Sequence, residues 1–108
     1  MVEDPIMRKK SSYIHDRLKE IGVENVYIDP PENLMMKYPC ARVRLNNGRA
    51  RYADNKTHIF TPNWEIIHIG YEPDDEIVPK MMHAFKQITY QRHYTANNLH
   101  HNLFTLYY

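Results

Sequence analysis

The stretch THIFTPNWEIIHIGY, residues 57–71, most restricts the folds open to this chain. It alternates at the two-residue period of an extended strand, yet both sets of positions are apolar. Trp64, Ile66 and His68 fall on one side, and Ile67, Ile69 and Tyr71 on the other. A strand with one face in water needs only one apolar face. This strand is therefore expected either at the centre of a layered domain or with its second face covered by another subunit.

The flanking segments supply candidate layers. EDPIMRKKSSYIHDRLKEIG predicts a helix over residues 5–21. Asp4 can cap it, and Pro5 suits the first helical position. Met7, Ile14, Leu18 and Ile21 share one face with Tyr13 beside them, and Gly22 is a natural stop. NVYI, residues 25–28, reads as a short strand. DPPENLMMKYP, with Pro30, Pro31 and Pro39, reads as a loop. CARVRLNNGRARY predicts a hairpin: Ala41, Val43 and Leu45 alternate with Arg42, Arg44 and Asn46, and NNG supplies the turn. RYADN, with its Asp54-Asn55 pair, reads as a further turn. EPDDEIVPKMMHAF predicts a helix over 76–86, opened by acids, with Pro79 in its first turn and Ile77, Met81, Met82 and Phe85 on its apolar face. QITYQRHY, residues 87–94, alternates as a strand. TANNLHHN is a turn or loop, and a last strand runs over 102–108.

This order predicts one α+β domain over residues 1–108. Its antiparallel or mixed sheet would have four to five strands, with two helices packed on one face. A length of 108 residues suits one modest core.

Charge and composition narrow the function classes. The net charge of +1 favours neither nucleic acid nor an acidic partner, but the distribution is uneven. No Asp or Glu follows Glu76, whereas Lys80, Lys86, Arg92 and four histidines do. Nine of the thirteen aromatics are Tyr, which suits both strands and half-wet interfaces. Cys40 is the single cysteine, so no internal disulfide framework is possible. Nothing approaches the roughly 18 apolar residues of a membrane span, and MVEDPIMRKK lacks the apolar core of a signal peptide.

Chemistry is sparse. Three glycines, at 22, 48 and 70, cannot build a phosphate loop, and the only serines are Ser11 and Ser12. His100 and His101 are adjacent, so on a strand they point to opposite faces, and no two- or four-residue ligand spacing occurs. Asp74 and Asp75 are better explained as helix-start residues, and Asp54 as a turn residue, than as an acid–base pair. We therefore expect no catalytic, metal or cofactor site. Arg42, Arg44, Arg49 and Arg51 cluster around NNG. They could form a solvated face, meet acidic residues of a neighbouring subunit, or track a phosphate backbone.

KYPCARVRL, RYADN, the strand leading into GYEPDDEIVPKM, and above all RHYTANNLHHNLFTLYY resemble a family of small tailed-bacteriophage proteins encoded among the head–tail joining genes. That family's pattern runs through YPC, ADN, a strand with a DPDS-x-IP type helix start, and YTADNLNH…FTLYY. The resemblance spans residues 37–108. The chain departs from the pattern at Asn97, at His100-His101, and by an inserted residue before Pro79.

The resemblance implies a minor capsid or tail protein of the virion, most simply a tail terminator. Such proteins are small α/β domains that form a typically six-fold ring on the tail tube, stop its growth and present a face to the head connector. Neither catalysis nor a cofactor is involved. The implied partners are further copies of the chain, the tube protein and a head connector or head-closure protein, with DNA passing through the lumen. Assembly would take place in the host cytoplasm. The subunit-interface candidates are Trp64, Ile67, Ile69, Tyr71, Arg92, Tyr94, Phe104, Leu106, Tyr107 and Tyr108. The alternatives are another head–tail connector, such as a head-closure protein, or a small nucleic-acid-binding domain using Arg42, Arg44, Arg49, Arg51 and Arg92.

Overall fold

The strand that is apolar on both sides lies in the middle of the sheet. In the computed structural model the backbone is described for residues 5–53 and 56–108, and side chains for 9–46 and 61–108. Five strands, β1 (Asn25–Ile28), β2 (Cys40–Ala53), β3 (Lys56–Gly70), β4 (Ile88–Ala96) and β5 (Leu99–Tyr107), form one sheet in the order β1-β2-β3-β5-β4. Only β1 and β2 run parallel, so the sheet is mixed. With helices α1 (Pro5–Glu20) and α2 (Ile77–Ala84), the chain is the single α+β domain that its pattern predicts.

Both helices pack on one face. Ile14 and Leu18 of α1 and Ile77 and Met81 of α2 meet Val43, Trp64, Ile66, Phe104 and Leu106 of the sheet in one buried cluster. Helix α1 ends at a Schellman motif: Gly22 has φ +107°, its N–H donates to Lys19 O at 3.1 Å, and Val23 N–H donates to Leu18 O at 3.1 Å. Arg17 Nε donates to Ala84 O at 3.2 Å and ties the two helices together. Asp75 Oδ1 accepts the Ile77 N–H at 2.9 Å and opens α2. Pro79 sits in the first turn, where its missing N–H costs no helical bond.

The opposite face has no helix among the described residues. Cys40, Ile67 and Ile69 are nevertheless buried there, against Tyr27, Met36, Tyr38, Leu99 and Leu103. The proline-rich segment 29–39 supplies Met36 and Tyr38, and Tyr27 Oη accepts the Lys37 N–H at 2.9 Å. The second apolar face of β3 is thus covered within the chain.

The structure corrects four boundaries. Asn46-Asn47-Gly48 is not a turn: β2 runs straight through it, with a register irregularity between Leu45 and Asn47. Antiparallel pairing with β3 along the whole strand outweighs the local turn preference, which survives as a bulge. All four arginines of the expected hairpin therefore lie on one strand, β2. The last strand begins at Leu99 rather than 102. Asn97 and Asn98 take positive φ, 53° and 62°, and make a two-residue hairpin turn that brings His100 and His101 into β5. Strand β4 runs over 88–96, past the expected end at 94, and α2 is shorter than the expected 76–86. The Asp4 cap and the Asp54-Asn55 turn fall outside the described residues.

Candidate functional site: two charged surfaces

The register sets the residues of the helix-free face in rows across four strands. Arg42, Ile67, Leu103 and Arg92 form one row; Arg44, Glu65, Thr105 and Thr89 form the next; Cys40, Ile69, His101 and Tyr94 form the third. Three arginines from two distant segments thus share one surface. The Arg92 guanidinium lies over the Tyr94 ring at 4.8 Å, and Tyr94 stacks on His101 at 4.6 Å with 14° between planes. Arg42 and Arg44 border a hollow of about 230 Å³ with Pro30, Pro31, Glu32, Leu34 and Met36. Nε of each is buried and has no hydrogen-bond partner among the described residues. Arg49 and Arg51 continue along β2, but their side chains lie outside the described residues.

The second surface is acidic and lies on the helix side. The end of α1, the β3–α2 connection and the start of α2 enclose an open cleft of about 490 Å³. Glu24, Glu72, Asp74, Asp75 and Glu76 line it, with Lys80 as the one cation among the lining residues. The negative end of the α1 dipole points the same way. His68 also lines the cleft. It is only 3% exposed, and Nδ1 has no hydrogen-bond partner among the described residues. Burial holds the imidazole pKa below its ordinary value, against the opposing pull of the Asp75 carboxylate. Gly70 makes room for this pair: a Cβ there would lie 3.3 Å from His68 Cε1 and 3.4 Å from Asp75 Oδ2.

The interface candidates divide by burial. Trp64, Ile67, Ile69, Phe104 and Leu106 are buried inside the chain itself. Tyr71 is 62% exposed, Arg92 is exposed, and Tyr94 and Tyr107 are half-buried. Tyr108 is held by its own chain: its N–H donates to Pro62 O at 3.1 Å, its carbonyl accepts Trp64 Nε1–H at 3.2 Å, and its ring stacks on Tyr13 at 4.7 Å. Sequence reasoning passed over His68, which reads as one more strand residue, and took Asp74 and Asp75 for helix-start residues alone. Asp75 does have that role. The convergence of Glu24 with them has no local signal, because the residues lie in separate segments.

Two of the histidines pair with each other. His93 Nε2 and His100 Nδ1 are 3.0 Å apart in a stacked pair, one donating and the other accepting. Among the described residues no three His, Cys, Asp or Glu side chains are grouped to hold a metal ion, and no helix is long and apolar enough to cross a membrane. Cys40 is buried, and desolvation pushes its thiol pKa up to about 11 against the lowering effect of Arg42.

A scan of the chain against protein-family models finds no match, and neither does a search of curated proteins.

Proposed function

We propose that the chain is a structural subunit of a tailed-bacteriophage neck, of the tail-terminator kind. It would assemble with copies of itself into a ring between the tail tube and the head connector, with DNA in the lumen and no catalysis. The observation that carries this reading is the β2–β3 arm. The two strands pair from Cys40↔Ile69 out to Ala53↔Lys56. Strand β5 pairs with β3 only over Asn63–Gly70, and β1 with β2 only over Cys40–Val43. The distal half of the pair is a two-stranded ribbon with no third strand on either side among the described residues. Such ribbons are marginal alone, and their open edges suit strand addition to a neighbour. The family-like RHYTANNLHHNLFTLYY block supports the same reading. Deleting the gene from a phage that carries it should give tails of uncontrolled length that fail to join heads. Normal tails on heads would rule out this role.

One observation favours a second reading, a nucleic-acid-binding surface: Arg42, Arg44 and Arg92 share the helix-free face with the Tyr94–His101 stack. Three phosphate contacts would make log K fall against log salt with a slope of about −2 to −3, and Arg92→Ala would flatten it by about 1. No binding to single- or double-stranded DNA at about 50 mM salt, where such contacts are strong, dismisses it.

A further inference from the structure

The two charged surfaces lie on different sides of the sheet. The acidic cleft sits on the helix side, between the end of α1 and the start of α2. The arginine rows sit on the helix-free face. One chain cannot close such a pair upon itself, whereas two copies can. Five of the chain's thirteen carboxylates line the one cleft. Each surface also keeps buried polar atoms with no hydrogen-bond partner among the described residues: His68 Nδ1 at the cleft, and Arg42 Nε and Arg44 Nε across the sheet. Buried polar atoms are nearly always hydrogen-bonded in a finished assembly.

We propose that the acidic cleft is the socket of a head-to-tail contact and takes guanidinium groups from the arginine-bearing sheet face of a second copy of this chain. Such a contact presupposes the self-assembling subunit proposed above and names its two surfaces. Planar guanidinium groups match carboxylates in a bidentate manner, which a lysine does not. Because the two patches differ, the contact is heterologous: each copy keeps one free socket and one free face, so growth continues until rotation closes a ring. The spread of the carboxylates over two segments, Glu24 after α1 and Glu72 to Glu76 before α2, with no metal-holding group among the described residues, suits extended guanidinium side chains better than a compact cation.

Two charge-reversed proteins test this. Glu72→Lys/Asp74→Lys removes the socket and leaves Asp75 to cap α2. Arg44→Glu/Arg92→Glu removes the face. Mass is read by light scattering at about 50 mM salt, with thermal unfolding as the control for folding. The wild-type chain is expected to form oligomers, and each variant alone to stay monomeric. An equimolar mixture should regain association, since the intact face of one variant meets the intact socket of the other and the two reversed surfaces also carry opposite charge. If a reversed variant unfolds, the neutral pair Glu72→Gln/Asp74→Asn replaces it, with association expected at least about tenfold weaker.

Wild-type-like oligomers from the socket variant would overturn the proposal and leave the neck role standing. So would a mixture that stays monomeric while the wild type assembles. A wild-type chain that stays monomeric, yet is stabilised by millimolar Mg²⁺ or Ca²⁺ in a way the socket variant is not, would make the cleft a cation site and equally overturn it. The neck role falls separately, on the tail-length experiment.

Discussion

His68 and Cys40 show how burial sets the chemistry of single residues here. His68 is held neutral by desolvation, against the pull of Asp75. Its folded pKa lies below the unfolded value near 6.5, so the unfolded chain takes up a proton that the fold refuses. The stability His68 contributes is therefore present above that value and is lost as pH falls below it. The melting temperature should drop as pH is lowered from 7 to 5, and His68→Gln should make the drop shallower. An unchanged slope would mean that other groups carry the acid limb. Cys40, with its thiol pushed up to about 11, should resist alkylation at pH 8 in the native protein and react promptly in denaturant. Rapid labelling of the native chain would show that the cover over the helix-free face opens readily. Neither environment is legible in the sequence, where both residues are ordinary members of apolar strands.

At the scale of elements, local rules served best where the signal is a backbone requirement. Gly22 ends α1 because its φ of +107° strains any side-chain-bearing residue. A Cβ there meets nothing within 4 Å, so the cost of Gly22→Ala is backbone strain alone. A loss of about 1–2 kcal/mol should appear as a lower denaturant midpoint with unchanged m-value. The Asn97-Asn98 turn obeyed the same logic and was visible as a turn, though not its tightness. Asn46-Asn47-Gly48 has the same composition and became a bulge, because a long antiparallel partner holds both sides of it. Turn chemistry gives a preference; pairing decides whether it is used. The cover of Ile67 and Ile69 by Met36 and Tyr38 escaped prediction for a related reason. A proline-rich loop has no period, so nothing local says which face it crosses.

For the whole molecule, the extents of 50 × 28 × 24 Å fit a domain extended by the β2–β3 arm. Shortening the arm, by removing residues 49–60 and joining the strands through Asn-Gly, should leave the thermal transition of the domain within a few degrees, since among the described residues both buried clusters are built from other segments. Self-association should be lost. Retained association would free the arm from any assembly role. The separation of charge between the cleft and the arginine face is also a property of this scale.

The sequence by itself determined the two helices, the succession of elements along the chain and the need of residues 57–71 for cover on both faces, because periodicity, caps and turn residues act over a few neighbours. It also held every arginine and carboxylate of the two charged surfaces. Only the tertiary structure decided that Arg92 lies in a row with Arg42, and that Glu24 and Asp74 line one cleft with a buried His68. Register between distant strands and the docking of helix ends set those meetings. They depend on burying apolar surface across the whole sheet, which no local window records.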